Sequence, residues 1–304
     1  MSTPGRERLL DQVSGVLLDK EQEIRLVLAA LLARGHVLLE DLPGVGKTTL
    51  ALALARSLGM DFARIQMTSD TLPGDLLGGN FYDPGQRAFL FRPGPVFHQV
   101  ILVDEINRAP PRSQSALMEA MAEKQVSIEG ITHILPEPFF VIATQNPQEY
   151  SGVYPLPENQ LDRFAVSISL GYPSRKAEER LLRGERVHLE QLEPVVKMEE
   201  LAVWQRETSR VFLGAEILAM LLDLAERTRR DPELRTGLSP RGLLALRGVA
   251  QAWACLEGRD YVQPEDLRRV AVAVLGHRLA GRESGTGGVH QAMRLMQECW
   301  GFVP

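Results

Sequence analysis

Apolar side chains in the first half of the chain switch between two spacings. From Glu21 to Arg34, the residues Ile24, Val27, Leu28, Leu31 and Leu32 recur at the interval of a helix with one buried face. Val37, Leu38 and Leu39 then form a short unbroken apolar run closed by Glu40-Asp41, and beyond a glycine-bearing turn Lys47 to Leu58 returns to helical spacing. The pattern predicts strand, turn, helix. Further apolar runs at Phe62 to Met67, Val100 to Val103, Phe139 to Ala143 and Phe164 to Leu170 are separated by helical or loop-like segments. Such a series suits a mostly parallel sheet covered by helices on both faces.

Gly171-Tyr172-Pro173-Ser174 punctuates the chain, and beyond it helical patterns replace strand-like runs. Helices are predicted over Arg175 to Arg186, Ala215 to Arg229, Pro240 to Glu257 and Pro264 to Ala280, and a short last one near Val289 to Trp300 follows the glycine-rich loop Gly281 to Gly288. Pro240 and Pro264 stand where a first helical residue belongs, and Ser239 is a good N-cap. The expected organisation is an α/β domain over residues 1–172 and an all-helical domain over 173–304.

Composition narrows the possibilities. At 304 residues the chain is about twice the ~150-residue domain prior, and 44% apolar content lets each half build a core. A net charge of −5 and a pI near 5.8 give no general attraction to nucleic acid or anionic lipid. Cys255 and Cys299 read as two reduced thiols, which fits a cytoplasmic protein. No apolar run approaches the ~20 residues that span a bilayer, so no membrane insertion is expected. The scattered histidines lack metal-site spacing, so any metal is expected to arrive with a ligand.

The chemistry lies at the ends of the strands. Pro43-Gly44-Val45-Gly46-Lys47-Thr48 joins the first strand to its helix, so that backbone N–H groups and the helix N-terminus can wrap phosphate oxygens. Lys47 can reach β/γ-phosphates and Thr48 can ligate Mg²⁺. Asp41 replaces the first glycine of the usual phosphate-loop pattern, so its carboxylate must point away from the phosphates. VILVDE ends in Asp104-Glu105, where one acid can hold Mg²⁺ through its waters and the other can polarise an attacking water. FFVIATQNP delivers Asn146 to the same carboxyl edge, either to orient that water, to touch the γ-phosphate, or simply to start an Asn-Pro turn.

At these separations GKT, VILVDE and ATQNP resemble Walker A, Walker B and sensor 1 of an AAA+ ATPase. EDLPGVGKTTLA, RIQMTSDTLPGD, EINRAPPRSQSALMEAM, ATQNP and YPLPENQLDRF are more narrowly similar to the MoxR family of AAA+ proteins, from about Leu17 to the last helices. The resemblance implies an AAA+ P-loop core of parallel sheet and helices followed by a helical lid, with ATP and Mg²⁺ as ligands. It assigns the nucleotide to Pro43, Gly44, Val45, Gly46, Lys47, Thr48, Thr49 and Asp104, the metal to Thr48 and Asp104, and water activation and positioning to Glu105 and Asn146. Arg163 in LDRF matches an arginine finger supplied by a neighbouring subunit, which implies a homo-oligomeric ring, a hexamer by family expectation. Arg241 in LSPRGLLAL matches sensor 2, and a cation in a first helical turn opposes the macrodipole unless an anion is near.

Two inserts complete the likeness. GDLLGGNFYDPGQRAFLFRPGPVF resembles the helix-2 insert and KQVSIEGITHILPEP the hairpin before sensor 1; neither is basic, which argues against a nucleic-acid motor. Phe81, Tyr82, Phe89, Phe91 and Phe97 of the first are expected to form hairpin core rather than a peptide-gripping surface. The family implies a chaperone that remodels or matures a partner protein, including metal or cofactor insertion, with a separate von Willebrand A domain protein. A nucleic-acid-associated motor and an ATP-controlled binding switch are the alternatives.

Overall fold

The computed structural model describes residues 4–146, 152–185, 187–282 and 287–301. Pro147 of the ATQNP motif, Arg186 and part of the glycine-rich loop before the last helix lie outside them. The chain begins with α1 (Pro4–Val16), α2 (Glu21–Leu32), β1 (Val37–Glu40), α3 (Lys47–Ser57), β2 (Phe62–Gln66) and α4 (Pro73–Leu77). It continues through β3 (Gly78–Asp83), β4 (Ala88–Pro93), β5 (Val100–Asp104), α5 (Pro111–Glu123), β6 (Gln125–Ile128), β7 (Ile131–Ile134), β8 (Phe140–Gln145), α6 (Glu158–Leu161) and β9 (Val166–Ile168). Helices follow: α7 (Arg175–Leu182), α8 (Met198–Arg210), α9 (Ala215–Arg230), α10 (Pro240–Leu256), α11 (Pro264–Leu275) and α12 (Gly288–Trp300).

The apolar runs predicted as strands form one five-stranded parallel sheet in the order β2-β5-β8-β1-β9. The period of two explains how it is buried. Val37 and Leu39, Val100 and Leu102, and Phe140 and Ile142 enter one core with α1, α2 and α3. Leu38, Ile101, Val103, Val141 and Ala143 enter a second core with Leu117, Met118 and Met121 of α5. The central strands β5 and β8 are therefore apolar on both faces, whereas the edge strand β2 carries the polar residues Arg64 and Gln66. A parallel doubly covered sheet followed by helices is the expected α/β class with an all-helical continuation.

The first core runs on without interruption into the C-terminal helices through Leu246, Val249, Leu267 and Val270. Helix α1 joins the two parts: Arg6, 1% exposed, donates from Nη1 to Cys255 O at 2.7 Å, pairs with Glu207 and lies over the Trp204 ring. Ser239 caps α10 by accepting from Gly242 N–H at 2.9 Å, and Pro240 and Pro264 both occupy the first turn of their helices, as expected. Two helices end early. α7 stops at Leu182 because Arg183 caps it and Gly184 turns the chain at φ +72°. α11 stops at Leu275, where the chain turns so that Arg278 reaches the carbonyls of Asp162, Phe164 and Ala165.

Candidate active site

The turn from β1 into α3 needs glycine twice. Gly44 and Gly46 have φ of +86° and +102°, and a Cβ on Gly46 would come within 2.7 Å of Leu17 Cδ1. Leu50 N–H makes the first helical bond, to Gly46 O, so the N–H groups of the preceding turn point out of the helix end towards the loop. Lys47 Nζ donates to the carbonyls of Asp41 at 2.8 Å and Leu42 at 3.3 Å. Asp41 itself is buried and faces away from this loop: its carboxylate accepts from Ser169 Oγ at 2.8 Å, Gly171 N–H at 3.0 Å and Leu170 N–H. The expected orientation of Asp41 holds, and its function is to tie the loop to the strand end beyond β9.

A cleft of about 310 Å³ opens at the carboxyl ends of the strands, lined by Pro43, Gly44, Gly46, Lys47, Thr48 and Thr49 from the loop. Asp104 at the end of β5 with Glu105 after it, Thr144 of β8 with Asn146 just beyond it, and Arg64 and Gln66 from β2 complete it. Glu105 takes the left-handed conformation at φ +56°, an uncommon one for a non-glycine residue, and donates its N–H to Thr144 Oγ1 at 3.0 Å. Thr144 Oγ1 in turn donates to Asp104 Oδ1 at 3.3 Å. Both acids are ion-paired, Asp104 Oδ2 with Arg64 Nε at 2.7 Å and Glu105 with Arg108 Nε at 2.8 Å.

The donor set suits a polyphosphate with a hard divalent cation. Backbone N–H groups at the helix N-terminus and Lys47 meet the anion, while a hydroxyl (Thr48) and a carboxylate (Asp104) are the oxygen ligands Mg²⁺ prefers. Among the described residues no group of three or more His, Cys, Asp or Glu converges, so the remaining ligands of such an ion would be water and phosphate. Val45 is the exception within the loop. Its side chain is buried in the first core and does not line the cleft, leaving only its backbone for a ligand.

The profile of the ATPase family associated with various cellular activities (AAA) matches residues 36–166, and that of the AAA lid domain matches 226–298. The chain is 47% identical to the uncharacterized protein YeaC of Bacillus subtilis, over 90% of this chain and 86% of that one. It is 39% identical to the chaperone MoxR1 of Mycobacterium tuberculosis, over 90% of this chain and 75% of that one. The crystal structure of a Cytophaga hutchinsonii protein described as a candidate ATPase superposes with a TM-score of 0.88 at 34% identity, covering 96% of this chain and 93% of the other. The chain belongs to the MoxR family of AAA+ ATPases.

This MoxR-family chain does not gather all the expected residues in one place. Arg163 and Arg241 are absent from the lining of its own cleft. Arg163 Nη1 instead donates to Met118 O at 2.6 Å, and Arg241 is exposed at the start of α10. The segments that carry them are nevertheless joined. Asp162, beside Arg163, accepts from Ser239 Oγ and from Arg278 Nε, each at 2.8 Å, and Ser239 is two residues before Arg241. Arg278 is buried, which with the nearby positive charge of Arg241 pulls its pKa below the ordinary arginine value, against the opposing pull of Asp162.

The two inserts form the antiparallel pairs β3–β4 and β6–β7, joined by Asn80 Nδ2 donating to Glu129 Oε2 at 2.6 Å. Their aromatic residues divide, which corrects the expectation of a hairpin core. Phe91 stacks on His133 at 3.9 Å and meets Phe97 edge-on, but Phe81, Tyr82 and Phe89 are 56%, 55% and 71% exposed. Phe91 shares a face with Tyr82 and Phe89, because Asn80 pairs with Phe91 and Tyr82 with Phe89; Phe91 lies nearer the base of the ribbon, beside His133 and Phe97, whereas Tyr82 and Phe89 lie nearer the turn and Phe81 points to the other face. Arg64, Gln66, Thr144 and Arg108 had no assigned role in the sequence reading. The polar alternation of β2 was the local signal for Arg64 and Gln66, and Thr144 and Arg108 had none.

Proposed function

We propose that the chain hydrolyses ATP with Mg²⁺ at this cleft as a subunit of a homo-oligomeric ring, a hexamer, and uses the cycle to remodel or mature a partner protein. The observation that carries the reading is the convergence of phosphate loop, paired acids and Asn146 on one 310 Å³ cleft in a chain of the MoxR family. Lys47 and the loop N–H groups bind the polyphosphate, and Thr48 and Asp104 hold the metal. Bound Mg²⁺ supplies positive charge to the phosphate oxygens. Glu105 accepts the proton of the attacking water and Asn146 orients that water. Arg163 and Arg241 sit outside their own cleft in one region of the junction between α6 and α10, which fits delivery to the next subunit's phosphates.

We divide the chain at 172/173 into nucleotide core and helical lid, a stretch between β9 and α7 where Lys20 Nζ donates to Tyr172 O at 3.0 Å. The name of MoxR1 as a chaperone supports a protein client, and a separate von Willebrand A domain protein is our candidate for it. The hairpins offer aromatic rather than basic side chains, which favours polypeptide over nucleic acid. No described helix is long and apolar enough to cross a membrane, and with two unpaired cysteines this fits a cytoplasmic site of action.

The test is to compare Glu105→Gln with Lys47→Ala in purified protein. Glu105→Gln is expected to keep ATP binding and lose turnover by about 10²- to 10⁴-fold, whereas Lys47→Ala loses binding. Wild-type turnover retained in Glu105→Gln would overturn the assignment. A native pulldown with the ATP-locked Glu105→Gln, read by mass spectrometry against Lys47→Ala, is expected to enrich one protein client; DNA-stimulated hydrolysis would instead revive the nucleic-acid motor.

A further inference from the structure

Asp104 is the most deeply buried charge of the cleft, and its two oxygens have different partners. Oδ1 accepts from Thr144 Oγ1, a neutral hydroxyl in the core, and Oδ2 accepts from Arg64 Nε at 2.7 Å. The ion pair is asymmetric: the Asp104 side chain is 9% exposed and the Arg64 side chain 53%. A buried carboxylate depends on a cation close to it, so Asp104 needs Arg64 more than Arg64 needs Asp104. The guanidinium is free to rotate into solvent or towards another anion, while the acid is held by its strand.

The placement of Arg64 follows from the sheet. β2 is the edge strand beside β5, and the register sets Arg64 against Leu102 and Gln66 against Asp104. Arg64 and Gln66 are two apart and so share a face of the strand, the one that lines the cleft. The side chain of Arg64 therefore reaches along the strand to the carboxylate of the next rung on that face. By comparison, the Glu105–Arg108 pair has side chains 35% and 43% exposed, and water screens both partners.

We propose that Arg64 is a resident counter-cation of Asp104 that competes with the divalent metal for Oδ2 and sets the metal concentration the site requires. The inference rests on the cleft being a nucleotide–metal site. A cation approaching Oδ2 meets the guanidinium as a like charge, so the metal is retained only when polyphosphate oxygens add negative charge on its other side. Arg64 is thus a positioning residue for the metal and not one that touches the reacting atoms.

The experiment uses the full chain with the β,γ-imido analogue of ATP, free Mn²⁺ read by electron paramagnetic resonance, and nucleotide affinity in EDTA read with a fluorescent ATP derivative. Arg64→Gln is expected to tighten Mn²⁺ retention by roughly three- to tenfold, as one charge-assisted pair is removed. Metal-free nucleotide affinity stays within about twofold of wild type, and Arg64→Lys returns Mn²⁺ retention towards the wild-type value, which a purely structural role would not do. Unchanged Mn²⁺ retention in Arg64→Gln at an unchanged melting temperature overturns the proposal, as does weaker retention, which would make Arg64 a support of the metal site. A metal-free nucleotide affinity reduced about tenfold would overturn it in favour of a phosphate ligand. Failure of the wild-type protein to retain Mn²⁺ with nucleotide is a separate outcome: it would remove the nucleotide reading and this inference together.

Discussion

His36 shows how much one buried side chain contributes before any ligand is considered. Val141 N–H donates to Nδ1 at 3.1 Å, so the proton sits on Nε2, which donates to Met121 O at 3.3 Å. Burial, with a smaller push from Lys124, lowers its pKa from 6.5 to about 4. The unfolded chain therefore binds more protons than the folded one between those values, so stability is complete above pH 6.5 and falls as pH drops towards 4. The loss is expected to reach about 3 kcal/mol, with buried His277 adding to it in the same direction. Urea unfolding at a series of pH values should show His36→Gln with a flatter acid limb than wild type; parallel limbs would count against the assignment. Of this the sequence showed only a histidine before a strand. Asp41 was more legible, because a carboxylate in a phosphate loop has to turn away, but its acceptance from Ser169, Leu170 and Gly171 depends on residues 128 to 130 positions later.

At the scale of elements, apolar runs and helix caps were read well and amphipathic helices with charged residues were not. α1 and α8 begin PGRERLL and MEELAVW, where charges interrupt the stripe, and only burial of Arg6 and Trp204 between them reveals why they are held. Helix ends also depended on distant contacts, since α11 yields where Arg278 turns inward. The β3–β4 ribbon gives a direct test of its exposed rings against the packed ring at its base. Replacing Phe81, Tyr82 and Phe89 together by Ser is expected to change unfolding free energy by no more than about 1 kcal/mol, chiefly the loss of the cross-strand Tyr82–Phe89 contact. Phe91→Ala is expected to cost about 1–2 kcal/mol, because that ring packs against His133 and Phe97. Equal effects of the two changes in thermal or urea unfolding would contradict the division between exposed and packed rings.

At the scale of the molecule, the sheet core and the C-terminal helices share one hydrophobic interior, and α1 clamps them. The segment of Arg163 is held from the other side by Arg278, whose guanidinium bonds Asp162 and the carbonyls of Asp162, Phe164 and Ala165. A chain whose own cleft lacks Arg163 and Arg241 leads to a mixing prediction. Arg163→Ala and Glu105→Gln proteins should each be inactive, while a one-to-one mixture recovers about a quarter of wild-type ATP turnover, the share of interfaces that pair an intact cleft with an intact finger. No recovery in a mixture that demonstrably co-assembles would mean that Arg163 acts within its own chain.

By itself the sequence determined the parallel α/β core, the helical continuation, the phosphate loop and the acids and asparagine at the strand ends. These depend on spacing between near neighbours, on glycines at positive φ and on the period of two in a strand, all of which are local. Only the tertiary structure decided which charges meet. Arg64 and Asp104 are 40 residues apart, Asp41 and Gly171 are 130 apart, and Asp162 and Arg278 are 116 apart. Such pairs form because neighbouring strands and packed helices bring side chains together at the ends of elements, where periodicity carries no information about the partner.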